Sequence, residues 1–163
     1  MKTILLLRHG KSKRGPEYET DFERPLAKRG KRDAERMGAF LVEQGLVPEA
    51  ILSSHAERAR ETALRCARAA GCEDAVRFER SLYGGGEEAY FSLLWALEDT
   101  VSRVLLCAHN PDLEIVAEEL AHRYVRMPTA ALARIDADAE RWDELFKVAR
   151  RLVWVQYASE LGN

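Results

Sequence analysis

The sequence is poor in cysteine, and its three cysteines form no recognisable cluster. They stand at positions 66, 72 and 107 of 163 residues, without CxxC spacing and without the Cys/His spacing of a metal site. An odd number of scattered thiols argues against a disulfide framework and is typical of a reducing compartment. We therefore expect a cytoplasmic location and no zinc site, and we expect no other cofactor.

Long apolar runs are missing too. The longest has about five residues, whereas a helix that spans a membrane needs roughly 20. The first two residues lead directly into a strand-like run, so we expect no signal peptide. The sequence thus predicts no association with a membrane.

A strong excess of one charge is also absent. The formal net charge is −2, with 47% hydrophobic and 32% charged residues, a globular composition with no general attraction to nucleic acid. The length suits one domain with a full core, so we expect residues 1–163 to form a single domain. The oligomeric state stays open, with a monomer as the simplest expectation. Any anion site must then be a local feature.

Short apolar runs alternate with stretches of helical period along the chain. This alternation is typical of βαβ units and predicts an α/β fold with three layers, in which helices cover both faces of a mostly parallel sheet of five to six strands. The predicted strands are Lys2–Leu7, Ala50–Ser53, Val76–Phe78, Arg103–Ala108, Ala131–Ile135 and a segment within Lys147–Gln156. The last two need not be parallel, because only a short segment separates them.

Four helices are predicted from apolar residues spaced three and four apart. They are expected from about Ala27 to Gln44, from a Ser54/Glu57 capping box to Gly71, around Tyr90 to Leu97, and from just after Pro111. Between the first strand and the first helix, the polar segment 11–24 has no period. Loops of that length in compact domains are usually functional or mobile.

Two histidines follow predicted strands. His9 comes between Arg8 and Gly10 after the first predicted strand, and His109 directly follows the predicted strand Arg103–Ala108. The carboxyl ends of parallel strands gather ligand chemistry, so both imidazoles can meet in one pocket. Arg58 falls in the first turn of the second helix and is expected at the same edge. A neutral imidazole beside guanidinium groups favours attack on phosphorus while arginine holds the phosphoryl oxygens.

Five segments occur in a fixed order over nearly the whole length of the chain. They are Arg8-His9-Gly10-Lys11-Ser12, residues 21–30 with Arg24-Pro25-Leu26, residues 52–63 with Arg58-Ala59 and Thr62-Ala63, Ala108-His109-Asn110-Pro111, and Met127-Pro128-Thr129-Ala130-Ala131. Together they resemble the histidine phosphatase (phosphoglycerate mutase-like) superfamily, and within it the small bacterial phosphohistidine phosphatases of the SixA type.

The resemblance implies catalytic roles for four residues. His9 would be the nucleophile and become transiently phosphorylated, while Arg8, Arg58 and His109 would hold the phosphoryl oxygens. The chemistry agrees, because His9 must be neutral to attack, and nearby arginines lower the pKa of an imidazole.

Four further residues are candidates for substrate binding. The resemblance makes Ser12 and the backbone at Asn110 additional donors to the phosphoryl group. Lys11 and Arg24 are expected at the pocket mouth, where they would meet an acidic surface of a protein substrate.

Which leaving groups the enzyme can expel depends on whether it supplies a general acid. Many ester phosphatases and mutases of this superfamily supply a carboxylic acid from a loop after the third strand, where Glu87 and Glu88 are the local candidates. They are also ordinary acidic residues for the first turn of a helix. Imidazole leaves far more readily than an alcohol, so hydrolysis of a P–N bond needs no such acid.

The sequence therefore predicts a phosphatase that removes phosphate from phosphohistidine in a protein, such as a histidine phosphotransfer domain, through a phosphohistidine intermediate on His9. One alternative is a phosphatase for small phosphate esters or anhydrides. Another is a binding module that recognises a phosphorylated partner without hydrolysing it. A mutase is disfavoured, because the chain lacks the extra length that covers the sugar-phosphate site of those relatives.

Overall fold

A computed structural model of the chain describes residues 1–162. One sheet of six strands forms the centre of the molecule, with helices packed on it. The strands are β1 (Lys2–Arg8), β2 (Ala50–Ser53), β3 (Val76–Phe78), β4 (Arg103–Ala108), β5 (Leu132–Ala137) and β6 (Arg150–Gln156). The helices are α1 (Lys28–Glu43), α2 (Glu57–Ala70), α3 (Glu87–Trp95) and α4 (Asp112–Ala121).

The strand order in the sheet is β3-β2-β4-β1-β5-β6. The four strands from β3 to β1 are parallel, whereas β5 runs antiparallel to both of its neighbours. The expectation of a mostly parallel α/β sheet is confirmed. The short connection before β6 allows the antiparallel pair, since parallel neighbours need a long crossover.

Alternate residues of the central strands build two separate cores, one on each face of the sheet. Ile4 and Leu6 of β1 face a core formed with α3 and α4. Leu5 and Leu7 face the opposite core, which α1 and α2 complete. This alternation follows from the period of two in a strand, and it confirms the predicted three layers.

The capping box predicted at the start of the second helix is wrong. Helix α2 begins at Glu57, and the residue before it, Ala56, offers no side-chain cap. The Ser54 hydroxyl lies in the preceding turn, where it accepts a hydrogen bond from the Ala56 backbone N–H at 3.2 Å. The helix ends as predicted at Gly71, which adopts a left-handed conformation with φ of 73°.

The parallel register brings three chain segments to one edge of the sheet. Strand β4 lies between β1 and β2, with Ala108 opposite Arg8 and Cys107 opposite Ser53. The residues that follow these strands therefore emerge side by side. No helix within residues 1–162 combines the length and apolar composition needed to cross a membrane.

Candidate functional site

A cavity of about 170 Å³ opens at this edge of the sheet. It collects all eight residues that the sequence singled out, together with two that it did not, Arg14 and Thr129. The lining residues are Arg8, His9, Lys11, Ser12, Arg14, Arg24, Arg58, His109, Asn110 and Thr129. Five of the ten carry a fixed positive charge, so the cavity is built for an anion.

His9 is held as a neutral imidazole with one unprotonated ring nitrogen. Its side chain is buried, and Nδ1 lies 2.8 Å from the Gly10 carbonyl oxygen. Because that oxygen can only accept, Nδ1 carries the proton and Nε2 carries the lone pair. Burial is the main reason that the pKa of His9 falls to about 3, although the Gly10 hydrogen bond acts in the opposite direction. The positive charge of Arg58 and Arg8 lowers it further.

Arg58 reaches the nucleophile from the first turn of α2. Its Nε donates to His9 Nε2 at 3.3 Å. The other two nitrogens bind Asp21, through the backbone oxygen at 2.7 Å and through Oδ2 at 2.8 Å. All three nitrogens of this buried guanidinium are thus engaged, and its plane is fixed beside the nucleophile.

Asp21 is an ionised carboxylate at the edge of the cavity. Partial burial acts to raise its pKa, but hydrogen bonds from Tyr83, Arg24 and Arg58 outweigh burial and lower it to about 2. Tyr83 donates to Oδ2 at 2.9 Å, and its ring lies edge-on to His109 at 5.3 Å between centroids. At neutral pH this carboxylate holds the arginines in place and has no proton to give.

His109 is hydrogen-bonded through its other ring nitrogen, Nε2, whereas His9 is bound to Gly10 through Nδ1. Its Nε2 lies 2.8 Å from the Ser54 hydroxyl, whose oxygen already accepts from the Ala56 N–H. When the hydroxyl donates to Nε2, Nδ1 carries the imidazole proton. Nδ1 is buried and has no hydrogen-bond partner among residues 1–162. Burial, followed by the charge of Arg58, lowers the pKa of His109 to about 4.

The two imidazoles lie close to each other, with ring centroids 5.2 Å apart. This separation places a hydrogen-bond donor next to a nucleophilic nitrogen without a bond between the rings. A single phosphoryl group can contact both rings at once.

Arg8 and Asn110 are fixed by one backbone oxygen. The Met127 carbonyl accepts from Arg8 Nη1 at 3.1 Å and from Asn110 Nδ2 at 2.8 Å. The Met127 N–H in turn donates to Glu114 of α4 at 2.7 Å. Met127 therefore orients the side chains of Arg8 and Asn110, and its hydrogen bond to Glu114 fixes the loop to α4.

The residues of the mouth are linked to each other. Arg24 donates from Nη1 to the Ser12 hydroxyl at 2.8 Å and forms an ion pair with Asp21 at 2.8 Å. Ser12 also pairs with Leu26 in an isolated β-bridge that closes the base of the loop. Lys11 is exposed beside them. The mouth is thus a structured, basic rim.

Glu87 and Glu88 do not line the cavity. They open α3, and Glu87 lies near Asp112 at the start of α4, where it adds to the effect of burial in raising the pKa of Asp112. No carboxyl group lines the cavity among residues 1–162.

Several supporting residues were missed by the sequence reasoning. The sequence predicted Ser54 as part of a helix cap, and it assigned no role to Asp21 within the segment 21–30. Thr62 accepts from the Gly10 N–H at 3.0 Å and donates to the Arg58 carbonyl at 2.7 Å, which ties the nucleophile loop to α2. Tyr83 follows β3 in a segment without any pattern, so no sequence signal could have identified it.

Comparisons with known proteins identify the family and the fold of the chain. The family model of the histidine phosphatase superfamily (branch 1) matches residues 4–82. An uncharacterised protein of Mycobacterium leprae, ML1117, is 32% identical over 160 residues, covering 90% of this chain and 96% of its own. Among solved structures, a protein of Agrobacterium tumefaciens assigned as the phosphohistidine phosphatase SixA is 29% identical, with a TM-score of 0.80 over 96% of this chain and 97% of its own. A protein of Nakamurella multipartitia that is also assigned as the phosphohistidine phosphatase SixA has 24% identity and a TM-score of 0.82 over 96% of this chain and 95% of its own, and shows the shared fold.

Proposed function

The chain belongs to the histidine phosphatase superfamily, and from this premise we propose that it hydrolyses phosphohistidine in a protein through a phosphorylated His9. One observation carries the proposal: a neutral imidazole, whose unprotonated Nε2 accepts a hydrogen bond from Arg58, shares a cavity of about 170 Å³ with Arg8, Arg58 and His109. The arrangement supplies a nucleophile together with fixed donors for the oxygens of a phosphoryl group.

The reaction proceeds in two displacements. His9 Nε2 attacks phosphorus in line with the P–N bond of a substrate phosphohistidine whose other ring nitrogen is protonated, and that bond breaks with its electron pair going to the substrate imidazole, which leaves as a neutral ring. Water then attacks the phosphorus of phospho-His9, which carries its proton on Nδ1; the P–N bond breaks with its electron pair returning to Nε2, phosphate leaves, and the proton released from water goes to the solvent. Arg8, Arg58 and His109 Nδ1 neutralise the charge that develops on the oxygens in both steps.

The lack of a lining carboxyl group supports a P–N substrate. An alkoxide leaving group needs a proton from a general acid, whereas an imidazole with a pKa of about 6.5 for its protonated form leaves without one. Asp21 is the acidic side chain bound to Arg58, and its pKa of about 2 keeps it ionised.

The size of the cavity supports a macromolecular substrate. Pockets for small ligands usually measure about 300–1,000 Å³, and this cavity measures about 170 Å³. It takes a phosphoryl group and leaves the rest of the substrate outside, against the basic rim of Lys11, Arg14 and Arg24. A phosphorylated histidine phosphotransfer domain in the cytoplasm fits these requirements.

The test compares wild type and His9→Ala on a phosphohistidine protein and on p-nitrophenyl phosphate. Wild type should release phosphate from both and prefer the P–N substrate, and His9→Ala should lose both activities. His122→Asn is the control, because His122 is exposed and its left-handed backbone, with φ of 57°, suits asparagine.

Three other results would change the assignment. Equal turnover by His9→Ala would overturn the mechanism. A strong preference of wild type for esters would favour the small-ester phosphatase. Tight binding of the phosphoprotein with no release of phosphate from either substrate would favour the binding module.

A further inference from the structure

A second, larger cleft adjoins the reaction cavity. It encloses about 360 Å³, and Thr129 lines both spaces. Its walls come from the first half of α1, the loop before β5 and the segment after β6. The lining residues are Arg29, Arg32, Asp33, Arg36, Arg126, Pro128, Thr129, Tyr157, Ala158 and Ser159.

The cleft carries a local excess of positive charge. The buried Asp33 carboxylate has three guanidinium groups around it, with N–O distances of 3.9 Å to Arg29, 3.9 Å to Arg32 and 3.6 Å to Arg36. One carboxylate balances one of them. Arg126 adds a fourth cation, so the formal charge of the lining is +3 in a chain whose net charge is −2.

The arginines of the cleft are not equivalent. Arg36 is occupied by the backbone oxygens of Leu161 and Gly162. The side chains of Arg29 and Arg32 are 58% and 64% exposed, and their contacts with Asp33 are too long to be good hydrogen bonds. Arg29 and Arg32 therefore have donor nitrogens available to a ligand.

We propose that this cleft binds carboxylate side chains of the substrate protein next to its phosphohistidine, an inference that rests on the proposed function. The reaction cavity holds little more than the phosphoryl group, so the polypeptide around the phosphohistidine must continue across the surface. The boundary at Thr129 leads that polypeptide to Arg29 and Arg32. Their planar guanidinium groups match a carboxylate with two parallel hydrogen bonds.

The cleft has apolar surface in addition to its charged groups, and this combination suits a peptide. Pro128, Tyr157 and Ala158 contribute apolar surface between the arginines. Tyrosine and arginine are the side chains that most often dominate the energy of protein interfaces. An acidic segment can thus bury its aliphatic parts here while its carboxylates meet the guanidinium groups.

The experiment uses two phosphohistidine peptides of equal length, one with glutamates and one with glutamines flanking the phosphohistidine. We expect wild type to show a KM about tenfold lower for the glutamate peptide. The double variant Arg29→Gln/Arg32→Gln should treat both peptides alike and keep its kcat/KM for p-nitrophenyl phosphate. The control Arg68→Gln/Arg151→Gln removes the same charge from exposed positions outside the cleft and should keep the wild-type preference.

A second measurement separates this inference from the proposed function. Unphosphorylated peptides of the same two sequences are tested as competitive inhibitors of p-nitrophenyl phosphate hydrolysis. Stronger inhibition by the glutamate peptide that disappears in Arg29→Gln/Arg32→Gln supports the cleft, even if no phosphohistidine peptide is hydrolysed and the substrate assignment fails. Equal KM values and equal inhibition for both peptides on wild type would overturn the cleft proposal and leave the phosphatase intact.

Discussion

Each of the two histidines of the site has one ring nitrogen fixed by a hydrogen bond. The Gly10 carbonyl oxygen accepts from His9 Nδ1, so His9 Nε2 carries the lone pair. The Ser54 hydroxyl lies 2.8 Å from His109 Nε2, and donation from this hydroxyl gives the tautomer with the proton on Nδ1, which is the one that the proposed mechanism uses. One hydrogen bond to each ring thus supports the role proposed for that imidazole.

Replacement of Ser54 by alanine should therefore lower the rate without removing any group that touches phosphate. Without the hydroxyl, His109 Nε2 loses the donor that selects its tautomer, and we expect kcat on p-nitrophenyl phosphate to fall about tenfold to a hundredfold, less than the loss of a direct donor. Ser53→Ala is the matched control, because the Ser53 hydroxyl donates to the Ser54 carbonyl and is not hydrogen-bonded to His109. An equal loss in both variants would show that packing, and not the tautomer, is responsible.

Asp21 places a negative charge beside the cavity, on the Arg58 guanidinium that lines it. Its carboxylate shares the Arg58 guanidinium with any anion in the cavity, and like charges repel. Asp21→Asn should therefore bind inorganic phosphate about threefold to tenfold more tightly, measured as a lower inhibition constant in p-nitrophenyl phosphate hydrolysis. Asp143→Asn changes an exposed carboxylate that pairs with Arg141 and should leave the constant as it is. Weaker inhibition of the Asp21 variant would mean that the carboxylate matters mainly for orienting Arg58.

The loop after β1 is shaped by its contact with α1. A Cβ on Gly10 would come within 2.8 Å of the Gly30 carbonyl oxygen, and a Cβ on Gly30 would overlap the Lys11 carbonyl oxygen and come within 2.9 Å of the Lys11 nitrogen. The first turn of α1 thus presses directly on the segment that carries the nucleophile. The glycine is needed for close approach, since no side chain fits between the two backbones.

A methyl group at this contact should damage catalysis, whereas the same change deeper in α1 should damage only stability. Gly30→Ala must push the nucleophile loop away, so we expect kcat to fall at least tenfold. Gly38→Ala overlaps the Cys66 carbonyl between α1 and α2 and should lower the free energy of unfolding by about 1–3 kcal/mol with kcat preserved in the folded fraction. Denaturant unfolding and steady-state kinetics on both variants check this. A Gly30→Ala enzyme with normal kcat would contradict the proposed contact.

Charge is unevenly distributed over the molecule as a whole. Although the net charge is −2, the part of the surface that holds the reaction cavity and the adjoining cleft is basic. Two imidazoles are buried at that edge in their neutral form. The basic edge attracts anions, and the burial of His9 and His109 links the stability of the fold to pH.

Stability should decrease as the solution becomes acidic. The pKa values of His9 and His109 are about 3 and 4 in the folded state, below the value of about 6.5 expected when unfolded. Between these limits the unfolded chain binds more protons, so the free energy of unfolding rises with pH and levels off above about 6.5. Near pH 5 the slope should be about 2.5 kcal/mol per pH unit from both groups.

Chemical denaturation between pH 4 and pH 8 measures this slope. His109→Asn should roughly halve it, whereas His122→Asn on the exposed surface should leave it unchanged. A flat profile for the wild type would contradict the neutral state assigned to both buried imidazoles.

The order and type of the elements could be predicted because hydrophobic period is a local property. Strands β1, β2, β3 and β4 agree with their apolar runs to within one residue, while β5 is displaced to Leu132–Ala137 from the predicted Ala131–Ile135. The capping of helix ends was predicted less accurately, because a capping side chain can form its hydrogen bond with another partner instead. Ser54 illustrates this, since it binds His109 in preference to the helix that follows it.

The sequence indicated eight of the ten residues that line the cavity and placed His9 and His109 after the ends of strands. It did not contain the pairing of Arg58 with Asp21, the position of Tyr83 or the cleft beside Thr129. Those features join residues dozens of positions apart, and whether their side chains meet depends on strand order, register and the packing of α1 and α2. Periodicity describes which face of an element is buried, but the distance between two polar atoms on different elements is fixed only when the whole chain has packed.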